Sequence, residues 1–372
     1  MSTGLSITLA AVARAAGVSL ATASRVLNNS DHPISTKTRA RVLQSANAMG
    51  YRPNLLARSM RTDRTYTIGI IADDLLSPFT PPIIRGIQDY LKAIDYLGLI
   101  INSDWDPALE QAAINRLLSH AVEGIIFVES GHLAATQALV EAQKPYMFVH
   151  RLFGASIQNS VVPDDVQATR LVIDHLLGLG HRRIAHIAGP QGWHSAQRRL
   201  ESYQATLAAG GIAVEPGWVA EGNWEYDGGA GAMRQLLQVN PPPTAIFVAN
   251  DYMALGAIAA IQAAGLQVPH DIAIASYDNR EFGRVHHPAL TTVSLPAYEM
   301  GFRAAELLWQ KIQGDLTDHP ATHRADFDEV KICGQLYIRE SCGADPAQQT
   351  HDELDVGTTV RHRLIGKAPE RE

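Results

Sequence analysis

Between Ile7 and Asn28 the apolar positions Leu9, Val12, Ala13 and Ala16 fall three and four apart, the spacing that lines one face of a helix. Gly17 and Val18 break the run and Ser19 opens a second helix, so this stretch predicts two short helices joined by a glycine turn. Val26 and Leu27 turn toward the first helix, which leaves Leu20, Ala21, Ser24, Arg25 and Asn28 on the opposite side. Thr8 is the expected N-cap of the first helix. Asn28 to Ile34 is turn chemistry, Ser35 caps a third helix with Val42, Ala46 and Met49 on one side, and Gly50 ends it. Pro53 suits the first turn of a further helix reaching Arg61, with Leu55, Leu56, Ala57 and Met60 as its apolar content. Two turns are too few for an isolated helix, so this one is expected to fold only against something else.

From Tyr66 the pattern changes to short apolar runs alternating with helical stretches. TIGIIAD, LGLIINS, GIIFVE and PYMFVH read as strands, with helices such as Ile83 to Ile94 and Ala108 to Leu118 between them. The same grammar resumes in RRIAHIAG, TAIFVAN and DIAIASYD. Strands separated by helices call for parallel sheets in right-handed crossovers, here in two successive sets. The fold class is therefore α/β, an all-α headpiece followed by two doubly wound lobes. Residues 343–372 are polar, without sustained apolar periodicity, and are expected to be a disordered tail.

The chain has 372 residues, 46% hydrophobic and 19% charged, enough for more than one domain. No apolar run approaches the ~18 residues of a membrane span. The N-terminus lacks a secretory pattern, and Cys333 and Cys342 give neither metal spacing nor a disulfide framework, which points to a reducing cytoplasm. Charge is distributed unevenly. Up to Arg64 there are nine Lys and Arg against two Asp, a net +7, whereas the rest holds 22 against 36, a net −14. A basic head on an acidic body is the footprint of a polyanion binder, because each neutralised phosphate releases condensed counterion.

The second helix has the chemistry for that role. The major groove admits one helix, and small side chains let its backbone approach the base edges. Arg25 can donate two hydrogen bonds to guanine, while Ser19, Thr22, Ser24 and Asn28 suit phosphate oxygens. Leu20 and Ala21 occupy reading positions without offering hydrogen bonds.

The run from Thr8 through Asn28, SxKTRxRV at Ser35 to Val42, and GYRPNLLARSMRT at Gly50 to Thr62 resemble the LacI/GalR family of bacterial transcriptional regulators. The resemblance continues through GHRRIAHIAGP, VANDYMALGA, ASYD, PALTTV and YIRESC, nearly the whole chain before Gly343. It implies a headpiece over 1–62, a hinge helix at about 53–61, and a body over 63–342 like a periplasmic binding protein. The lobes would be discontinuous, one of about 66–162 and 293–322, the other of about 163–292 and 323–342, with crossings near Val161 to Asp164, Leu290 to Leu295 and Ala321 to Arg324. The resemblance also implies homodimers on palindromic double-stranded operator DNA, Thr8, Leu9, Ser35, Thr38, Asn54 and Ala57 at the DNA, and Met60 wedged into the minor groove where leucine is usual.

Ligands of open α/β sheets bind beyond the carboxyl ends of the strands. Those positions are Asp73, Ser77 and Phe79, then Asp104 and Trp105, then His150 and Arg151, and in the second lobe Asp164, Trp193, Arg199, Trp224, Asn250 and Asp278. Carboxylates, amides, guanidinium and aromatic faces suit a sugar, whose hydroxyls ring an apolar face. Trp105 and Trp193 read equally as core. The resemblance makes Asp278, Asn250 and Arg199 effector contacts, Trp224 an aromatic platform and Phe79 a stacking residue. His150 stands where a sugar-contacting aspartate is usual, Ser276 replaces a glycine and Asn279 an acid, so a neutral sugar and an anionic one both remain open. No GxSxG, Walker, HExxH or dinucleotide motif is present, and neither a catalytic set, a metal site nor a cofactor is expected. A solute receptor with the same body would have no use for residues 7–61.

Overall fold

A computed structural model describes residues 7–27, 32–52, 64–129, 133–150, 158–316, 329–345 and 347. The expected hinge helix with Asn54, Ala57 and Met60, the residues Asn28 and Arg151, and the tail beyond 347 lie outside the described residues. Two compact units are present, Met1–Thr65 and Tyr66–Glu372.

The first unit holds α1 (Leu9–Ala15), α2 (Leu20–Leu27) and α3 (Thr36–Met49). The Thr8 hydroxyl accepts from the Ala11 N–H, as its position before the apolar run predicts. After α1 the chain turns through Gly17 at φ 61°, where Gly17 N donates to Arg14 O and Val18 N to Ala13 O. These two bonds form a Schellman cap, and the left-handed residue in it strongly favours glycine. Val12, Ala13, Ala16, Ala23, Val26, Val42 and Ala46 are buried together. Small side chains at this core let the three helices approach closely.

The second unit runs β1 (Thr67–Ala72), α4 (Thr80–Ala93), β2 (Leu97–Asn102), α5 (Pro107–Ser119), β3 (Gly124–Val128), α6 (Leu133–Glu141), β4 (Tyr146–Val149), β5 (Ser160–Pro163) and α7 (Asp165–Gly178). It continues with β6 (Ile184–Ala188), α8 (His194–Ala209), β7 (Val219–Glu221), α9 (Tyr226–Leu236), β8 (Ala245–Val248), α10 (Asp251–Ala263), β9 (Ala273–Asp278), α11 (Glu281–Val285), β10 (Thr291–Ser294), α12 (Ala297–Leu316), β11 (Val330–Ile332) and β12 (Leu336–Tyr337). One sheet has the order β11-β5-β4-β3-β1-β2 and the other β12-β10-β9-β8-β6-β7. All described pairings are parallel except β10 with β12. Strand order reverses between β1 and β3 and between β6 and β8, the points at which open α/β sheets form ligand crevices.

Each sheet is covered on both faces, which is why its interior strands are continuous apolar runs. Ile70 and Ile126 lie in the core beneath α4 and α12, and Ile125 and Phe127 in the one beneath α5 and α6. In the second lobe Ile246 and Val248 face α9 and α10, and Ala245 and Phe247 face α7 and α8.

The third crossing departs from the expected position near Ala321 to Arg324. Residues Val330–Ile332 pair with β5 in the first sheet, and Leu336 and Tyr337 pair with β10 in the second, so the chain changes lobes at 333–335. The β11 segment VKI carries a lysine and is too short to register as a strand in sequence; its pairing partner lies some 170 positions earlier in the chain.

In the second core His186 is fully buried, its Nδ1 bonded to Phe247 O at 2.9 Å and its ring stacked on Phe247 at 4.7 Å. Burial pushes its pKa down from 6.5 to about 4, against the opposing effect of the Phe247 bond. The unfolded chain therefore binds the extra proton first. The resulting stability is complete above pH 6.5 and is lost as pH falls toward 4, by about 3 kcal/mol if this group acts alone. Urea unfolding across that range should show the decline, and His186→Phe should flatten it. An unchanged pH profile in the variant would refute the assignment.

Candidate functional site

The three described headpiece helices begin without an acidic side chain in the first turn. Ser19 Oγ accepts from Thr22 N at 3.1 Å, and Ser35 Oγ accepts from Thr38 N at 3.2 Å. The usual partner three residues after such a cap is glutamate or glutamine. Threonine replaces it twice here, each hydroxyl bonded to its serine at 2.9 Å, so the caps add no negative charge to the helix starts. Ser19, Thr22, Arg25, His32, Ser35, Thr38 and Arg41 line one hollow between the starts of α2 and α3. Positive helix ends and guanidinium groups around one concavity are chemistry for phosphate. Leu20, 54% exposed, and the exposed Ala21 and Arg25 lie on the outward side of α2; Ser24 is half-buried.

At the carboxyl end of the first sheet the centre is Glu129, directly after β3. Its Oε1 accepts from Ser77 Oγ at 3.0 Å and lies 3.2 Å from His150 Nδ1, and its Oε2 accepts from Thr80 Oγ1 at 2.8 Å. Burial would raise this carboxyl, but the bonds from His150, Thr80 and Ser77 outweigh it and hold the pKa below the usual range. A carboxylate only accepts, so His150 Nδ1 carries the proton. Phe79 meets the His150 ring edge-on at 5.6 Å. Asp73 is buried and accepts from Ser103 Oγ at 2.5 Å, whereas Asp104 and Trp105 are exposed.

At the end of the second sheet several expected contact groups are engaged inside the protein. Arg199 is 4% exposed, donates from Nε to Asp165 Oδ1 at 2.8 Å and from Nη1 to Ala249 O at 2.6 Å, and lies 3.6 Å over the Tyr277 ring. Asn250 caps α10 through its oxygen and donates to Trp224 O at 3.0 Å; Asp164 caps α7. Trp193 and Trp224 meet at 5.8 Å, and Trp224 Nε1 is buried without a hydrogen-bond partner among the described residues. A Cβ on Gly189, directly after β6, would lie 2.2 Å from the Trp224 ring, so the platform needs glycine there. Burial, reinforced by Asp251 and Asp165 and opposed by Arg199 and Arg280, pushes the Asp278 carboxyl well above its ordinary pKa.

Backbone conformation marks the same places. Asp104, Trp105, Glu129, His150, Trp224, Asp278 and Asn279 all have φ between 51° and 115°, although none is glycine. Left-handed backbone at non-glycine residues is costly and gathers where surrounding structure enforces a site. Arg280 of the second lobe lies 5.5 Å over the Phe79 ring of the first, so the two strand ends face each other and meet there.

Comparison with known proteins agrees with both halves. Residues 8–54 match the family described as bacterial regulatory proteins, lacI family, and residues 173–342 match a periplasmic binding protein-like domain. The HTH-type transcriptional repressor CytR of Escherichia coli (strain K12) is 35% identical over 342 residues, covering 91% of this chain and 97% of the relative. The chain belongs to the LacI family of bacterial regulatory proteins. A Lac repressor dimer bound to operator and the anti-inducer ONPF matches with a TM-score of 0.73 at 29% identity, over 91% of this chain and all of the other. A complex of the transcriptional regulator CelR with cellobiose matches at a TM-score of 0.64 and 30% identity, over 90% and 99% of the two chains.

Within this LacI-family regulator, the structure brings Phe79 and His150 together on one lobe and Trp193, Trp224, Arg199 and Asp278 on the other. Sequence reading missed Glu129, although it follows a strand directly, as well as Thr80, Arg280 and Asp251. Ser276 and Asn279 acquire roles: Ser276 Oγ donates to Asp251 Oδ1 at 2.5 Å, and Asn279 Oδ1 accepts from Arg339 Nη2 at 2.7 Å. Among the described residues no cluster of three or more His, Cys, Asp or Glu could hold a metal, and no helix is long and apolar enough to cross a membrane.

Proposed function

We propose that this regulator is a repressor of carbohydrate-utilisation genes that binds a palindromic operator as a homodimer and takes a sugar-like effector between its lobes. It acts by binding, without catalysing a reaction, in the cytoplasm where the DNA is. The doubly capped hollow lined by Arg25, with no carboxylate among its described lining residues, carries the DNA half of this reading. In it Arg25 reads a base edge, and Ser19, Thr22, Ser35 and Thr38 position phosphates. Two such heads on a two-fold axis suit half-sites about one helical turn, ~34 Å, apart.

Pairing is supported by an exposed aromatic surface on the second lobe. Tyr226 and Tyr252 lie 6.3 Å apart, Phe282 is 6.0 Å from Tyr252, and Val285 is 65% exposed nearby in sequence. In the cleft Phe79 and Trp224 cover the ring faces while His150 and Asp278 meet polar groups. An effector with unequal affinity for two lobe arrangements shifts the operator-bound population by that difference.

Band shifts with DNA from upstream of the gene and its neighbours should give saturable, salt-sensitive complexes. Arg25→Ala should weaken them by about 1–3 kcal/mol and relax preference at one base position. Unaltered affinity and preference in that variant would remove the recognition-helix assignment.

A further inference from the structure

We propose that the effector carries an oxyanion, a carboxylate or phosphate ester on a sugar-like frame, and that Arg280 binds it. This rests on the effector reading above and sharpens it. The Arg280 guanidinium makes no hydrogen bond or ion pair with any described residue; its contacts are the rings of Phe79 at 5.5 Å and Phe282 at 5.4 Å. Three other described arginines near the strand ends are engaged: Arg199 with Asp165, Arg198 with Glu329, and Arg339 with Leu290 O and Asn279. An unpaired guanidinium in a cleft, seated on an aromatic face, keeps its in-plane N–H donors free for a planar or tetrahedral oxyanion.

The loop that carries Arg280 is fixed in place. Arg280 N donates to Asp251 Oδ2 at 2.6 Å, Asn279 N donates to Thr292 Oγ1 at 3.2 Å, and Arg339 holds the Asn279 side chain. Asp278 attracts the cation but forms no ion pair with it, and the nearby acids are otherwise occupied. Asp251 Oδ1 accepts from Ser276 and Thr292, and the raised pKa of Asp278, caused first by burial, favours its uncharged form. Across the cleft the Glu129 carboxylate is taken up by His150, Ser77 and Thr80. Arg280 thus stands beside Phe79, the stacking ring, as a preorganised charge that a neutral ligand would leave unmatched.

Calorimetric titration of the full-length protein with matched probes tests this: glucose, glucose 6-phosphate and glucuronate, ribose and ribose 5-phosphate, and inorganic phosphate. One anionic member should bind at least ~10-fold more tightly than its neutral parent, and which one distinguishes carboxylate from phosphate. Arg280→Gln should bring the pair to near parity without lowering the melting temperature, and Arg280→Lys should restore part of the preference. The proposal is overturned if neutral parents bind as well as the anions, if the preference survives Arg280→Gln, or if no anion binds at millimolar concentration. Each of those results leaves operator binding untouched; failure of the regulator reading would appear separately, as absence of DNA complexes both with and without the probes.

Discussion

Arg199→Met should destabilise the effector-binding body by about 3–5 kcal/mol, the range found when one member of a buried ion pair is removed. The reason lies in the partner left behind. Asp165 is 4% exposed and faces Arg199 Nε at 2.8 Å, so methionine would strand a buried carboxylate at the start of α7. The guanidinium also bonds the carbonyl of Ala249 and covers Tyr277, contacts that methionine cannot reproduce. Replacing both members, Arg199→Met with Asp165→Leu, should recover much of the loss, because no unpaired charge then remains. Denaturant unfolding followed by tryptophan fluorescence reads both variants. A single variant as stable as the parent would mean that Arg199 serves the ligand rather than the fold.

Gly256→Val should be at least as damaging as the upper end of the ~1–3 kcal/mol typical of overpacking. A Cβ on Gly256 would lie 2.0 Å from the Tyr226 carbonyl oxygen, and one on Gly229 would lie 2.1 Å from that of Met253. Helices α9 and α10 therefore touch backbone to backbone, and neither can yield by a side-chain rotation. The first lobe repeats the device: Gly86 faces the carbonyl of Tyr298, and Gly301 that of Ile83, where α4 crosses α12. Separating α9 from α10 also displaces Tyr226 and Tyr252, so the variant should lose its self-association along with its melting temperature. Gly231→Ala is the control, since nothing lies within 4 Å of a Cβ there and alanine favours helix. Sedimentation and thermal melts of the two variants should differ sharply; equal behaviour would refute the contact argument.

Local and fully apolar features were legible in the sequence. The headpiece could be read because within each helix the core positions recur three or four apart beside a local cap or turn, and the interior strands because burial on both faces makes them uniformly apolar. Strands β5, β7, β10, β11 and β12 were not, because SVVP, VAE, TTVS, VKI and LY lack the unbroken apolar run of equally short β4 and β8, and their pairing is decided by distant segments. In the cleft, the strand-end rule located Phe79, His150, Trp224 and Asp278 but not what holds them. Residue type alone cannot tell an arginine committed to a buried carboxylate, such as Arg199, from one left free, such as Arg280. That distinction depends on a partner 34 positions away in one case and on none among the described residues in the other, which only the folded arrangement reveals.

The late crossing at 333–335 bears on how the molecule is made. The first sheet begins with Thr67 yet its outer strand, Val330–Ile332, is made only after the second sheet's β6 to β10, and Leu336–Tyr337 of the other sheet follows directly. The headpiece, whose contacts are all close in sequence, can form on the nascent chain, whereas both lobes must wait with one rim open. A message broken between the codons for α12 and β11 would leave each lobe short of an edge, and quality control would meet a bare sheet in both.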